Sequence, residues 1–165
     1  MRLENNFNNL NRDDFISTFG VIFEKTQWIA ESLFDLKPFK DKDHLINQMI
    51  KIYETANKDK ILNILKSHPK LAIEQNLTKQ SNEEQQSANL KNCTKDEFEE
   101  FSKLNSDYEI KFGFPFIVAV KGKNKNEILN IFRQRIKNDI EFEFKESKEQ
   151  VKKIALFRLD EVFKK

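Results

Sequence analysis

Glycine and proline are scarce, three of each in 165 residues. So few turn formers weigh against a turn-rich β fold and favour long, uninterrupted helices. Cysteine is scarcer still: Cys93 stands alone, which excludes an intramolecular disulfide and suits a reducing interior. Neither sign of charge is in real excess, with 29 Lys+Arg against 27 Asp+Glu interspersed along the chain. That balance makes no electrostatic case for nucleic acid or an anionic membrane as partner. The short basic stretches "KGKNKN" and "FKK" read as a loop and a solvated end. No run of 18 apolar residues, no charged-then-apolar leader and no Ser-Lys-Leu-type terminus is present, so the cytoplasm is the expected compartment. Missing too are a glycine-rich phosphate loop, His-Glu-x-x-His, paired metal-spaced Cys or His, and glycines flanking a nucleophilic serine. Chemistry, where present, is expected to need neither metal nor organic cofactor.

What the chain has in quantity is phenylalanine, 16 residues that supply much of a core's volume. The length suits one domain, residues 1–165, and no repeat or low-complexity linker divides it. Apolar spacings of three and four predict an all-α bundle of seven to eight helices. They fall at about 11–36 (broken near Gly20, ended by Pro38), 43–57, 58–67, 81–91, 94–112, 124–144 and 147–163. Ser81-x-x-Glu84, Thr94-x-x-Glu97 and Ser147-x-x-Gln150 carry the spacing of a capping box and are read as helix starts. Between two helices, "KFGFPFIVAVKG" contains Gly113 and Pro115, which oppose helix, and then an apolar, partly β-branched run. An extended segment near 113–121 is predicted, and its backbone N–H and C=O groups need partners from a helix end, water or a ligand.

Three features are candidates for chemistry. His68 precedes Pro69, and proline disfavours helix at the residue before it, so His68 ends the 58–67 helix. A helix-end histidine is explained by the helix dipole alone. The other histidine, His44, stands among Asp and Lys and reads as solvated. Ser81, Glu84 and Gln85 open a helix; capping accounts for the first two, and a helix N-terminus is also a ready anion site. Arg158 lies on or beside the apolar stripe of Val151, Ile154, Ala155 and Val162. It either snorkels at the edge or, if buried, requires a carboxylate or an anionic ligand.

Taken in order, "FGVIFEKTQWIAE", "LKSHPKLA", "LTKQSNEEQQSANL", "LNSDYEIKFGFPFIVAVKG", "RIKN" and "KIALFRL" resemble the OHCU decarboxylase family of urate degradation, nearly end to end. OHCU is 2-oxo-4-hydroxy-4-carboxy-5-ureidoimidazoline. Asn89 departs from the pattern, since the family usually has glycine after Ala88. The resemblance implies an all-helical homodimer, a carboxy-lyase of purine catabolism that turns OHCU into (S)-allantoin and CO2 without a cofactor. It implies a catalytic role for His68 with Glu84 as its carboxylate partner. Substrate contacts are implied for Pro69, Ser81, Glu84, Gln85, Phe116, Ile117, Val118, Ala119, Val120 and Arg158. Some members carry a fused hydrolase, so coupling to a hydroxyisourate hydrolase is a further expectation. Rival classes are a non-catalytic helical interaction module and an acid–base enzyme acting on another ureido compound. The former predicts loss of the motif His, Glu or Arg, and all three are present.

Overall fold

The computed structural model describes residues 6–73 and 76–165. Among these residues the regular structure is helical, with eight α-helices, one short 3-10 turn and no strand. The chain forms two compact units: one holds the residues through Ser67 together with Lys152–Lys165, the other His68–Val151. No helix among the described residues is long and apolar enough to cross a membrane.

In the first unit, α1 (Arg12–Phe19) is capped by Asn11, whose side chain accepts from Asp14 N. It stops at Gly20, where a Cβ would lie only 2.5 Å from Ile16 O. The helix break anticipated there is real, and α2 (Trp28–Phe34) begins eight residues later. Asn8 brackets the Pro38 turn by donating to Phe39 O at 2.7 Å and accepting from Phe39 N at 2.9 Å. Asp41 caps α3 (Lys42–Glu54), its side chain accepting from His44 N. His44 is not the solvated residue its charged neighbours suggest. It is half-buried, accepts from Lys40 N at 3.1 Å through Nδ1, and packs edgewise on Phe39. α4 (Lys58–Ser67) ends one residue before His68, where Pro69 requires it to end. Phe15, Phe19, Phe23 and Tyr53 are fully buried in this unit. Each such side chain stabilises the fold by roughly 1.5–3 kcal/mol through burial.

The second unit holds α5 (Lys79–Ser87), α6 (Lys95–Phe112), α7 (Lys125–Arg135) and the first half of α8 (Ile140–Lys164). α6 starts on the anticipated Thr94–Glu97 capping box and ends at Gly113, whose φ of 78° glycine adopts without steric cost. Residues 114–120 then run without helix or strand and are buried. Phe116 stacks on Phe132 with ring centroids 3.8 Å apart, and Tyr108 meets both rings edge-on.

Helix boundaries toward the C-terminus differ from the sequence reading. The single helix expected over 124–144 is two, because Asp139 accepts from Phe142 N at 2.7 Å and starts α8 afresh. α8 then runs unbroken through Ser147, so the Ser147-x-x-Gln150 spacing marks no helix start.

Candidate functional site

The site is built outward from α5, whose buried face is polar. Its N-cap is Thr78, not Ser81: Thr78 Oγ1 accepts from Ser81 N at 3.3 Å. Ser81 is therefore the third residue inside the helix, and the capping account of Ser81 and Glu84 fails. Ser81 and Gln85, one turn apart, are the residues α5 buries, at 4% and 3% exposure, with Glu84 half-buried beside them. A helix normally turns an apolar stripe inward. Polar groups buried in place of that stripe need partners, and those partners define the site.

Gln85 supplies the first link. Its Oε1 accepts from Ala72 N at 3.1 Å, which fixes the orientation of the amide, because only the oxygen can accept. The other end, Nε2, is buried with no hydrogen-bond partner. The same loop carries His68 and Pro69, four and three residues before Ala72. His68 is itself buried, at 8% exposure, immediately after α4. The structure thus joins α5 directly to the His68 loop. Asn105 of α6 grips that loop from the other side, donating from Nδ2 to Leu71 O at 3.0 Å and to its own helix at Phe101 O at 2.8 Å.

The 114–120 segment is held by groups to which the sequence reading gave no such task. Arg135, at the end of α7, donates from Nη1 to Ile117 O, and its guanidinium lies 4.6 Å from the centroid of the Phe116 ring. Gln150 accepts from Ala119 N through Oε1 at 3.0 Å, and Lys123 donates to Ala119 O at 2.9 Å. Val120 O accepts from Lys123 N at 3.0 Å. Among the described residues the backbone N–H and C=O of Phe116 and Val118 have no protein hydrogen-bond partner, although both residues are buried. Buried peptide groups require a hydrogen-bond partner.

Behind the segment, Arg135 belongs to a buried cluster. Its Nε donates to Glu143 Oε1 at 2.7 Å and its Nη2 to Ser147 Oγ at 3.1 Å. Tyr108 OH donates to Glu143 Oε1 at 2.5 Å, and Asn138 Nδ2 to Glu143 Oε2 at 3.1 Å. Burial, and then the bond to the Glu143 carboxylate, push the Tyr108 hydroxyl above the usual tyrosine range. The cluster keeps a charge pair inside the unit with its hydrogen-bonding capacity used, which makes such burial tolerable.

Arg158 belongs to the first unit and is buried. It does not snorkel. Its Nη2 lies 2.9 Å from Glu24 Oε2, and Nη1 donates to Val21 O at 3.3 Å. The carboxylate that a buried Arg158 requires is therefore Glu24, a residue the sequence reading did not select.

The family described as OHCU decarboxylase matches residues 8–160. A 2-oxo-4-hydroxy-4-carboxy-5-ureidoimidazoline decarboxylase from Haloferax volcanii is 36% identical over 94% of this chain and 93% of its own length. A uric acid degradation bifunctional protein from a Bacillus strain is 40% identical over 99% of this chain, which spans only 32% of that protein. The crystal structure of (S)-allantoin synthase superposes with a TM-score of 0.78 at 28% identity, over 95% of this chain and 52% of that one. A crystal structure of OHCU decarboxylase in the presence of (S)-allantoin shares the fold, with a TM-score of 0.73 at 21% identity over 93% and 99% of the two chains.

Proposed function

The chain belongs to the OHCU decarboxylase family, and on that premise we propose that it removes CO2 from OHCU to leave (S)-allantoin in urate degradation. The observation that carries the reading is the polar buried face of α5, with the partnerless Nε2 of Gln85 tied through Ala72 to the His68 loop.

Decarboxylation breaks the bond between the ring carbon and its carboxylate. CO2 departs, and the electron pair stays on that carbon, where the conjugated ring of the substrate delocalises it. The neighbouring ureido-bearing carbon then takes a proton, the ring nitrogen beside it takes another, and the hydroxyl on the decarboxylated carbon gives one up to become the carbonyl of allantoin. The protein's task is to bind, orient and manage protons. His68 exchanges a proton with the substrate hydroxyl or with the carbanionic intermediate, since an imidazole titrates near working pH. Glu84 either orients His68 or holds a substrate N–H. Ser81, Pro69 and the Gln85 donor line the substrate, and the peptide groups of Phe116 and Val118 pair with its ureido and ring amide groups. The side chains of Ile117, Ala119 and Val120 complete that wall. The family resemblance implies a binding role for Arg158 as well, and with Glu24 beside it that role is one of N–H donation and not of uncompensated charge. Proton delivery from one side gives a single enantiomer. We further propose a cytoplasmic homodimer, coupled in function to the hydroxyisourate hydrolase that supplies its unstable substrate.

Purified protein given freshly generated OHCU is expected to accelerate CO2 release and to yield optically active allantoin. Decay at the rate of a protein-free control, with racemic product, would remove the reading.

A further inference from the structure

We propose that Asn105 is a positioning residue for this reaction, acting through the Leu71–Ala72 peptide on the loop that carries His68. The proposal rests on the assignment of proton exchange to His68.

A single peptide unit is gripped at both of its polar atoms. Asn105 Nδ2 donates to its carbonyl, Leu71 O, and Gln85 Oε1 accepts from its N–H, on Ala72. Ala72 stands at φ 67°, the left-handed region that an alanine leaves unless its surroundings hold it there. Upstream, the ring of Pro69 fixes its own φ, so few rotations separate the gripped peptide from His68. α6 holds the same loop a second time. Lys70 Nζ lies 2.7 Å from Glu109 Oε2, and Glu109 is one helical turn beyond Asn105 on the same face. Adjacent loop residues are thus pinned to successive turns of one helix.

Asn105 also looks like a residue kept for its donor. It is 2% exposed, and both of its amide hydrogens are used, toward Leu71 O and Phe101 O. Its Oδ1 is left buried with no partner. Leucine at this position would remove that unsatisfied acceptor and favour the helix more, but it is bulkier and would strip the buried Leu71 O of its donor. The two residues are thus closely matched in stability, and the grip on Leu71 is what asparagine alone provides. Displacing a proton-transfer group by about an ångström costs on the order of 100-fold in rate.

The test compares wild type, His68→Asn, Asn105→Leu and Asn105→Ser on freshly generated OHCU, with circular dichroism and thermal melts of each. Asn105→Leu is expected to fold with a Tm close to that of wild type, to lose on the order of 10- to 100-fold in kcat, and to hold KM within about threefold. Asn105→Ser shifts kcat in the same direction. The kcat pH profile of both variants moves along the pH axis, because the surroundings of His68 change. A kcat within twofold of wild type in either folded variant overturns the proposal. Equal losses in kcat and Tm overturn it too, as does failure of both variants to fold, since Asn105 would then be structural. Absence of wild-type turnover, or turnover retained in His68→Asn, instead removes the reading of His68 on which the proposal depends.

Discussion

Arg158 and Glu24 meet as a buried ion pair, with side chains 5% and 1% exposed and 2.9 Å between Nη2 and Oε2. Truncating either partner strands the other's charge. Arg158→Ala is therefore expected to lower unfolding stability by about 3–5 kcal/mol, measured by denaturant titration, before any effect on substrate is read. The double change Glu24→Gln with Arg158→Met removes both charges and should recover most of that loss. If Arg158 donates to the substrate, KM stays raised at least about tenfold in the recovered protein, the equivalent of one lost hydrogen bond to a charged group. A wild-type KM in that double variant would assign the arginine to folding alone.

Gln85 divides its amide between two tasks, and Gln85→Glu separates them. The carboxylate keeps an acceptor for Ala72 N but replaces the inward donor with a second acceptor. At a pH where the glutamate is ionised, helicity is expected to persist while KM rises by roughly 10- to 100-fold. Steady-state kinetics on OHCU, run beside circular dichroism, checks this.

Tyr108 predicts how the protein responds to alkali. Its folded-state value lies above the ordinary tyrosine value of about 10. As pH rises past 10, the unfolded chain therefore gives up this proton while the folded chain keeps it. The stability linked to Tyr108 is complete below about pH 10 and declines above it. Tyr108→Phe should cost about 1–3 kcal/mol at neutral pH, because Glu143 loses one of its donors. Its stability should then fall less steeply than wild type between pH 10 and 11 in urea melts.

Much of this architecture could be read from the chain. Proline and glycine punctuation placed the end of α4, the break at Gly20 and the exit of α6 at Gly113, because each acts locally on backbone geometry. The reading went astray where a polar residue had two uses. Ser81 and Ser147 each stand three residues before Glu or Gln, as caps do, yet both lie inside their helices and are buried. Ser147 serves Arg135, and Gln150 serves the backbone at Ala119. True caps face solvent, and spacing alone carries no information about burial. Glu24 and Arg158 lie 134 positions apart, and Tyr108 and Glu143 lie 35 apart. No local pattern reports such pairings; an arginine on an apolar stripe signals only that some partner is required.

Asn89 is a departure from the family's usual residue that the backbone explains. It follows α5 at φ 59°, with Asn89 N donating to Gln86 O and Leu90 N to Gln85 O, both at 3.0 Å. That pair of bonds is a Schellman ending, and asparagine is the side-chain-bearing residue that best tolerates its left-handed position. Asn89→Gly should change stability by less than about 1 kcal/mol, while Asn89→Val should lower it by about 1–2 kcal/mol. Thermal melts of the two variants would separate these outcomes.

The same position bears on how relatives of this chain are found. What the helix exit demands is a dihedral angle, and glycine is only its commonest spelling. A search pattern that insists on the letter would discard chains whose asparagine meets the same angle, together with an intact His68 loop and α5.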